Sequence, residues 1–252
     1  MALHFNSDSG TDDYLQKDVA VFSGKTYPLA FVAWVRPDDR GAQHAVASDS
    51  GSGSSKQIRL GCSGSGKFLA GMKGGNAVSS SGHYSNGNTE WFHLVGAFVA
   101  SNDYRLYVNG TLDATQTANN NIPDFADSNR FYIGTGVSSG TNIAAKTWEG
   151  SLAEVAAYSA ELTADEIETL AAGVSPLMVR PDSLAGYWPL GGIVYDADYT
   201  DLMAGNDLTG YGPPAVDDHP PIIYPSSPEV FTAATAEGDD IRAAINYYYR
   251  NV

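Results

Sequence analysis

The chain has 252 residues with 14 Lys or Arg against 29 Asp or Glu, a formal net charge of −15. That balance repels phosphate backbones and argues against nucleic-acid binding, and no apolar run is long enough for membrane insertion. With 43% hydrophobic residues, 27 Gly and 15 Tyr, the composition suits many strands joined by tight turns, in one large all-β domain or a domain with an extension.

Leu3-His4-Phe5 reads as the first strand. It follows Met1 with no basic segment and apolar core of a signal peptide, so folding in the cytoplasm is expected. Leu29 to Val35 is a strong strand stopped by Arg36-Pro37-Asp38-Asp39, and Ala45-Val46-Ala47 ends in a Ser/Gly-rich loop. Gln57 to Cys62 and Lys67 to Met72 form a hairpin around Ser63-Gly64-Ser65-Gly66. That loop lacks the spacing and the following helix of a phosphate-binding loop. Cys62 is the lone cysteine; no intrachain disulfide can form, and it reads as a small strand residue. Ser79 to Asn88 is a polar loop without hydrophobic anchors. Phe92 to Val99 and Tyr104 to Val108 are strands, and Asn109-Gly110 turns the chain into a third. Asn-Gly between such runs suits a type I′ turn, which needs positive φ at both central residues. Arg130 to Gly134 and Trp148 to Tyr158 are further strands.

One helix is expected. Thr163-Ala164-Asp165-Glu166 is a capping box, Ile167 and Leu170 supply an apolar face, and Gly173 suits the stop. After Ser175 the character changes. Pro176-Leu177 and Arg180-Pro181 read as extended linker, Leu184 to Leu190 is apolar and aromatic, and six prolines between Pro213 and Pro228 mark an irregular arm. Asp239 to Tyr249 suits a short terminal helix with Ile241, Ile245 and Tyr248 on one face. The expected organisation is a sandwich over 1–174 and an arm over 175–252 that packs on the sandwich or on a neighbouring subunit, with Trp188, Ile241, Ile245 and Tyr248 as assembly residues.

Leu3-His4-Phe5…Asp12-Asp13-Tyr14-Leu15 and Phe31 to Pro37 resemble the opening of a laminin-G-like domain of the concanavalin A-like superfamily. Trp91 to Val95 with Leu106 to Gly110 resembles its central meander, and Trp148 to Val155 with Leu162 to Ile167 its closing strand and helix. The segment Gly186-Tyr187-Trp188-Pro189-Leu190…Gly205 to Gly210 is similar to a sequence bordering such domains in bacteriophage and phage-derived proteins. The resemblance implies an all-β, two-sheet antiparallel jelly-roll sandwich with one short helix and an extended C-terminal arm.

The superfamily includes β-glucanases, whose paired carboxylates alternate along one strand to flank a glycosidic bond. This chain has no Glu-x-Asp-x-x-Glu strand, and Glu149 and Glu154 would face opposite ways on a regular strand. The five histidines are scattered without zinc spacing. The resemblance points instead to Ca²⁺ at the sandwich rim, on Asp8, Asp12, Asp13 and Glu154. A glycan site needs an aromatic ring and planar polar groups on exposed loops; His83, Tyr84, Asn86 and Asn88 offer that chemistry, as does Asn119-Asn120-Asn121, whereas Trp34, Trp91 and Trp148 read as core. Three functions are weighed. The leading one is a non-catalytic virion protein, a capsid decoration or tail accessory assembled in the host cytoplasm. It would contact other virion proteins or copies of itself through the arm, with a host-surface glycan as a further partner. The second is a glycan-binding adhesion module, and the third a glycan-degrading enzyme, which the missing carboxylate strand opposes.

Overall fold

The computed structural model describes residues 1–6, 12–18, 21–22, 27–49, 57–72, 75–79, 81–117, 130–138, 141–191, 199–203, 205–212 and 214–225. The expected terminal helix, with Ile241, Ile245 and Tyr248, lies outside them, as do Asp8 and Asn119 to Asn121.

The Asn-Gly turn forms as its chemistry requires. Asn109 and Gly110 have φ of 48° and 83°, and Val108 pairs with Thr111 across the two-residue loop. That turn joins β9 (Asp103–Val108) to β10 (Thr111–Gln116), and β8 (Phe92–Ala100) pairs with β9 to complete the meander. The sheet continues through β3 (Leu29–Pro37), β14 (Gly150–Tyr158), β1 (Ala2–Phe5) and β17 (Ala215–Asp217), with β15 (Leu184–Trp188) also on β14. The second sheet runs β16 (Thr209–Tyr211), β2 (Tyr14–Lys17), β11 (Arg130–Ile133), β4 (His44–Asp49), β5 (Gln57–Gly64), β6 (Lys67–Met72), β7 (Gly75–Val78). A small hairpin, β12 (Gly136–Ser138) and β13 (Thr141–Ile143), stands apart. The pairings between these strands are antiparallel.

Period-two alternation decides what each strand buries. Along β3, Leu29, Phe31, Ala33 and Val35 point between the sheets, where they meet Phe98, Phe131, Trp148 and Trp188. Ala30 and Val32 point outward into a second cluster with Val95, Ala97, Ala156 and Tyr158. Helix α1 (Ala164–Ala171) covers that cluster with Ile167 and Leu170. Its capping box is present in both directions: the Glu166 amide donates to Thr163 Oγ1 (3.3 Å) and the Thr163 amide to Glu166 Oε2 (2.7 Å). Gly173, at φ 89°, ends it.

Three expectations need correction. Pro176–Met178 and Pro181–Ser183 are 3-10 turns, not extended linker, because each proline sits at the first position of a turn and presets its φ. The loop before Asn88 does have apolar anchors: the rings of His83 and Tyr84 lie 5.4 and 5.3 Å from Phe68. And β14 is not regular at Glu154, which has φ 53° where the pairing with β3 shifts between Ala153 and Ala156. Beyond Ser175 the chain adds β15 and β17 to one sheet and β16 to the other, and Trp188 joins the inter-sheet core.

Candidate functional site

The β14 bulge divides the outer face of the eight-stranded sheet. β1 pairs with Gly150 to Leu152, and β15 takes the same flank from Val155 onward. On the β15 side, the outward residues of β3 and β8 are Ala30, Val32, Val95 and Ala97, all buried. On the β1 side, the same strands carry Trp34 and Arg36, then His93, with Trp91 just before β8. Ser151 of β14 and His4 of β1 complete the row through the pairings His4↔Ser151 and Ser151↔Arg36. Trp34, Trp91, Arg36 and His4 are half-buried.

This patch is braced from below. The Arg36 guanidinium lies 5.2 Å from the Trp91 ring centre and ion-pairs with Asp217. It also donates to Ser151 Oγ (3.2 Å), and the Ser151 hydroxyl donates to Asp217. His4 Nδ1 stands 3.2 Å from Ser151 Oγ. His4 Nε2 is 3.7 Å from Asp38 Oδ2, whose side chain is 45% exposed. Partial burial pushes the Asp217 carboxyl up. Hydrogen bonds from Ser151 and the Asp218 amide, with the charges of Arg36 and His4, outweigh that and hold it below the usual carboxylate range. Trp34 packs at 5.2 Å and 59° on His93. Burial lowers the His93 imidazole to about 3, so it is a neutral support for that indole.

Two loops border the patch. The Asp38 amide donates to Glu149 O (2.9 Å), and Asp38 O accepts from the Gly87 amide (2.7 Å). Asn86 Oδ1 accepts from the Arg40 amide (3.0 Å), while Asn88 clasps the backbone of Glu90. The expected glycan residues Asn86 and Asn88 therefore shape the loop beside Trp91. His83 and Tyr84 instead turn inward: His83 Nε2 lies 3.3 Å from Asp113 Oδ1, and the Tyr84 hydroxyl faces the buried Cys62 thiol. Burial pushes that thiol up to about 12. The indoles of Trp34 and Trp91, expected in the core, lie on this face. The signal was present in β3, where Leu29, Phe31, Ala33 and Val35 facing inward forces Trp34 outward with Arg36.

Of the expected calcium residues, the described ones, Asp12, Asp13 and Glu154, do not converge. Asp13 Oδ2 accepts from the Asn6 amide (3.1 Å), just beyond the end of β1, while Glu154 is level with Met1, about 16 Å away along the strand. Asp12 is half-buried in the same loop as Asp13. Among the described residues no group of three or more His, Cys, Asp and Glu side chains is placed to hold a metal ion.

Glu154 serves another purpose. It is 1% exposed and accepts from the phenols of Tyr187 (2.5 Å) and Tyr224 (2.7 Å). His219 Nε2 lies 3.2 Å from its Oε1. Burial first, then the Glu154 charge, raise both phenols, which stay protonated donors. Two main-chain bonds add to this anchorage, Ile223 N to Gly173 O (2.7 Å) and Ser175 N to Ile223 O (3.0 Å). A proline-rich strap, residues 218–224, is thereby clamped at the bulge. Trp188 is fully buried, stacked 4.7 Å from Phe131, with Nε1 donating to Asn206 O (3.0 Å). No helix among the described residues is long and apolar enough to cross a membrane.

The two-sheet sandwich itself has counterparts among known proteins. Residues 9–168 match the laminin-G type 3 family of the concanavalin A-like lectin/glucanases superfamily, and the chain belongs to that family. Among solved structures it is similar to the heptameric SAP-like pentraxin of Limulus polyphemus, at 14% identity and TM-score 0.53 over 68% of this chain and 80% of that one. A proposed carbohydrate-binding protein of Bacteroides ovatus is 19% identical, with TM-score 0.55 over 83% of this chain, which spans 57% of that protein. The CBM40 of a Ruminococcus gnavus IT-sialidase, also solved with α2,3-sialyllactose, is 14% identical, with TM-score 0.51 over 68% of this chain and 98% of that one. At these identities the likeness is one of fold. No curated protein sequence matches the chain.

Proposed function

We propose that the chain is a non-catalytic recognition module that binds glycans at the Trp34–Trp91 patch and is displayed on the surface of a phage-like virion. One observation carries the binding half. Three adjacent strands change at the same level from buried Ala and Val to indole, guanidinium, imidazole and hydroxyl. Half-buried indoles braced by fixed polar groups are what a pyranose needs, an apolar ring face beside hydrogen-bonding partners. Catalysis is disfavoured because Glu154, the buried carboxylate of the closing strand, is closed off by two phenols and an imidazole. Family membership and the named binding partners of the fold relatives lend support.

The virion setting, as capsid decoration or tail accessory, rests on the phage-like segment Gly186 to Gly210. Contacts with other virion proteins or with copies of this chain are assigned to the residues after 225. The test is a glycan array probed with the full chain and with Trp91→Ala. Binding by the parent and its loss in the variant supports the reading; a blank array for the parent removes it. Truncation after Pro225 tests the setting, since it spares all the described strands. Undiminished particle or self-association would end the assignment to those residues.

A further inference from the structure

Resting on the glycan reading of this patch, we propose that it selects neutral oligosaccharides and rejects sialylated or sulfated ones, with Asp38 as the residue that grips the sugar hydroxyls. The guanidinium that could have received an anionic sugar is already committed. Arg36 is ion-paired with Asp217, stacked near Trp91 and bonded to Ser151, with its side chain only 18% exposed. The remaining charges around the patch are mostly negative. Asp38 borders it beside His4, Glu90 directly precedes Trp91, and Glu149 O accepts from the Asp38 amide, against Arg40, whose guanidinium already donates to Ser65 O (3.0 Å). A carboxylate or sulfate docked on the indoles would be repelled by these carboxylates, while Arg36 and Arg40, the arginines described beside the patch, already hold partners; the whole chain at −15 adds to the repulsion.

The same carboxylates suit a neutral sugar. An ionised carboxylate only accepts, and sugar hydroxyls donate. Asp38 is the one placed to act, two residues along from Arg36: its side chain is 45% exposed, its backbone is fixed at both N–H and C=O, and His4 stands 3.7 Å behind one oxygen. Two oxygens so held can accept from two neighbouring hydroxyls, a charge-assisted pair that an amide in the same place reproduces poorly. Selection against acidic sugars is then Coulombic, so salt screens it. A steric bar would be insensitive to salt.

The experiment uses the full chain against galactose-, mannose- and N-acetylglucosamine-terminated oligosaccharides and their sialylated and sulfated counterparts, by titration calorimetry at low and high salt. A neutral probe is expected to bind at least tenfold more tightly than its acidic counterpart, with the gap narrowing in salt, and Asp38→Asn is expected to weaken the neutral probe about tenfold. Trp91→Ala and the milder Trp91→Phe report the patch itself. If acidic probes bind as well as neutral ones and Trp91→Ala abolishes both, the glycan reading stands and the selectivity is overturned. Neutral binding untouched in Asp38→Asn overturns the role of that residue. If no probe of either kind binds, both ideas fall.

Discussion

The two ends of one sheet face are built from the same three strands and meet different fates. Toward the helix, β3, β8 and β14 present Ala30, Val32, Val95, Ala97 and Ala156, and α1, the first 3-10 turn and Tyr187 bury them. Toward the other end they present Trp34, Arg36, His93 and Ser151, with Trp34 and Arg36 left half-exposed. Small apolar side chains leave room for a second layer to pack closely, and burying them contributes about 25 cal/mol per Å². Indoles and a guanidinium fill that space themselves and keep a polar edge wet. The boundary is Glu154, where the bulge turns a side chain to face the strap. The covered end should therefore carry stability and the bare end recognition, and substitutions can test that division.

The largest effect is expected at the boundary. Glu154→Ala leaves the buried Tyr187 phenol, the part-buried Tyr224 phenol and the His219 imidazole without their shared partner, and each buried group left unsatisfied costs about 1–3 kcal/mol. Chemical denaturation should show that loss. Thermolysin should then cut before Ile223 in the variant under conditions where the parent resists. A variant as stable as the parent, with an uncut strap, would mean the clamp holds nothing. Next comes Leu170→Ala in α1, which is 1% exposed and should cost about 3 kcal/mol by transfer and cavity terms. Glycan binding should survive it; a joint loss of stability and binding would show that the two ends are coupled.

The scaffold was readable where local chemistry is self-sufficient. The Asn109-Gly110 turn, the capping box at Thr163 and the alternation in β3 each state their geometry within a few residues. Strands of three or four residues such as β16 and β17 were not readable, because their pairing with β2 and β1 is decided by residues some two hundred positions away. Trp34 and Trp91 resemble core by residue type, whereas strand phase turns Trp34 outward and both indoles stay half-buried. Ser151 and Asp217, which brace Arg36, carried no signal at all; only register brings them together. Asn86 and Asn88 lie in the loop beside Trp91, while the inward turn of His83 and Tyr84 depends on Phe68 and Phe92, which belong to strands elsewhere in the chain. The clamp was missed for the same reason: Glu154, Tyr187, His219 and Tyr224 are dispersed in sequence.

A smaller effect is expected at the helix cap. Thr163→Ala removes the acceptor of the Glu166 amide and should cost about 1 kcal/mol. Because the residue 163 amide can still donate to Glu166 Oε2 and Arg180 Nε bonds Oε1 at 2.8 Å, that carboxylate keeps both partners and the 3-10 turns should stay docked. Hydrogen exchange confined to the first turn of α1 would agree; exchange spreading to Leu177 and Val179 would show that the cap supports the whole cover.

The smallest stability effect belongs to the bare end, in Asp217→Asn, and its pH dependence is diagnostic. Folding holds the Asp217 carboxyl below its ordinary value, so the folded state favours the ionised form. Its contribution is fully present above the ordinary carboxylate range and is lost as pH falls through the lower folded value. The pair is partly exposed and screened, so the cost at neutral pH should stay below about 1 kcal/mol. Denaturation of parent and variant should give a constant gap from neutral pH down to about pH 5, closing below about pH 4. A gap that persists in acid would make the loss one of packing rather than charge. The binding readout separates the two ends most sharply: freed from Asp217, Arg36 becomes available to an anion, and Asp217→Asn should improve the affinity of a sialylated probe relative to its neutral counterpart.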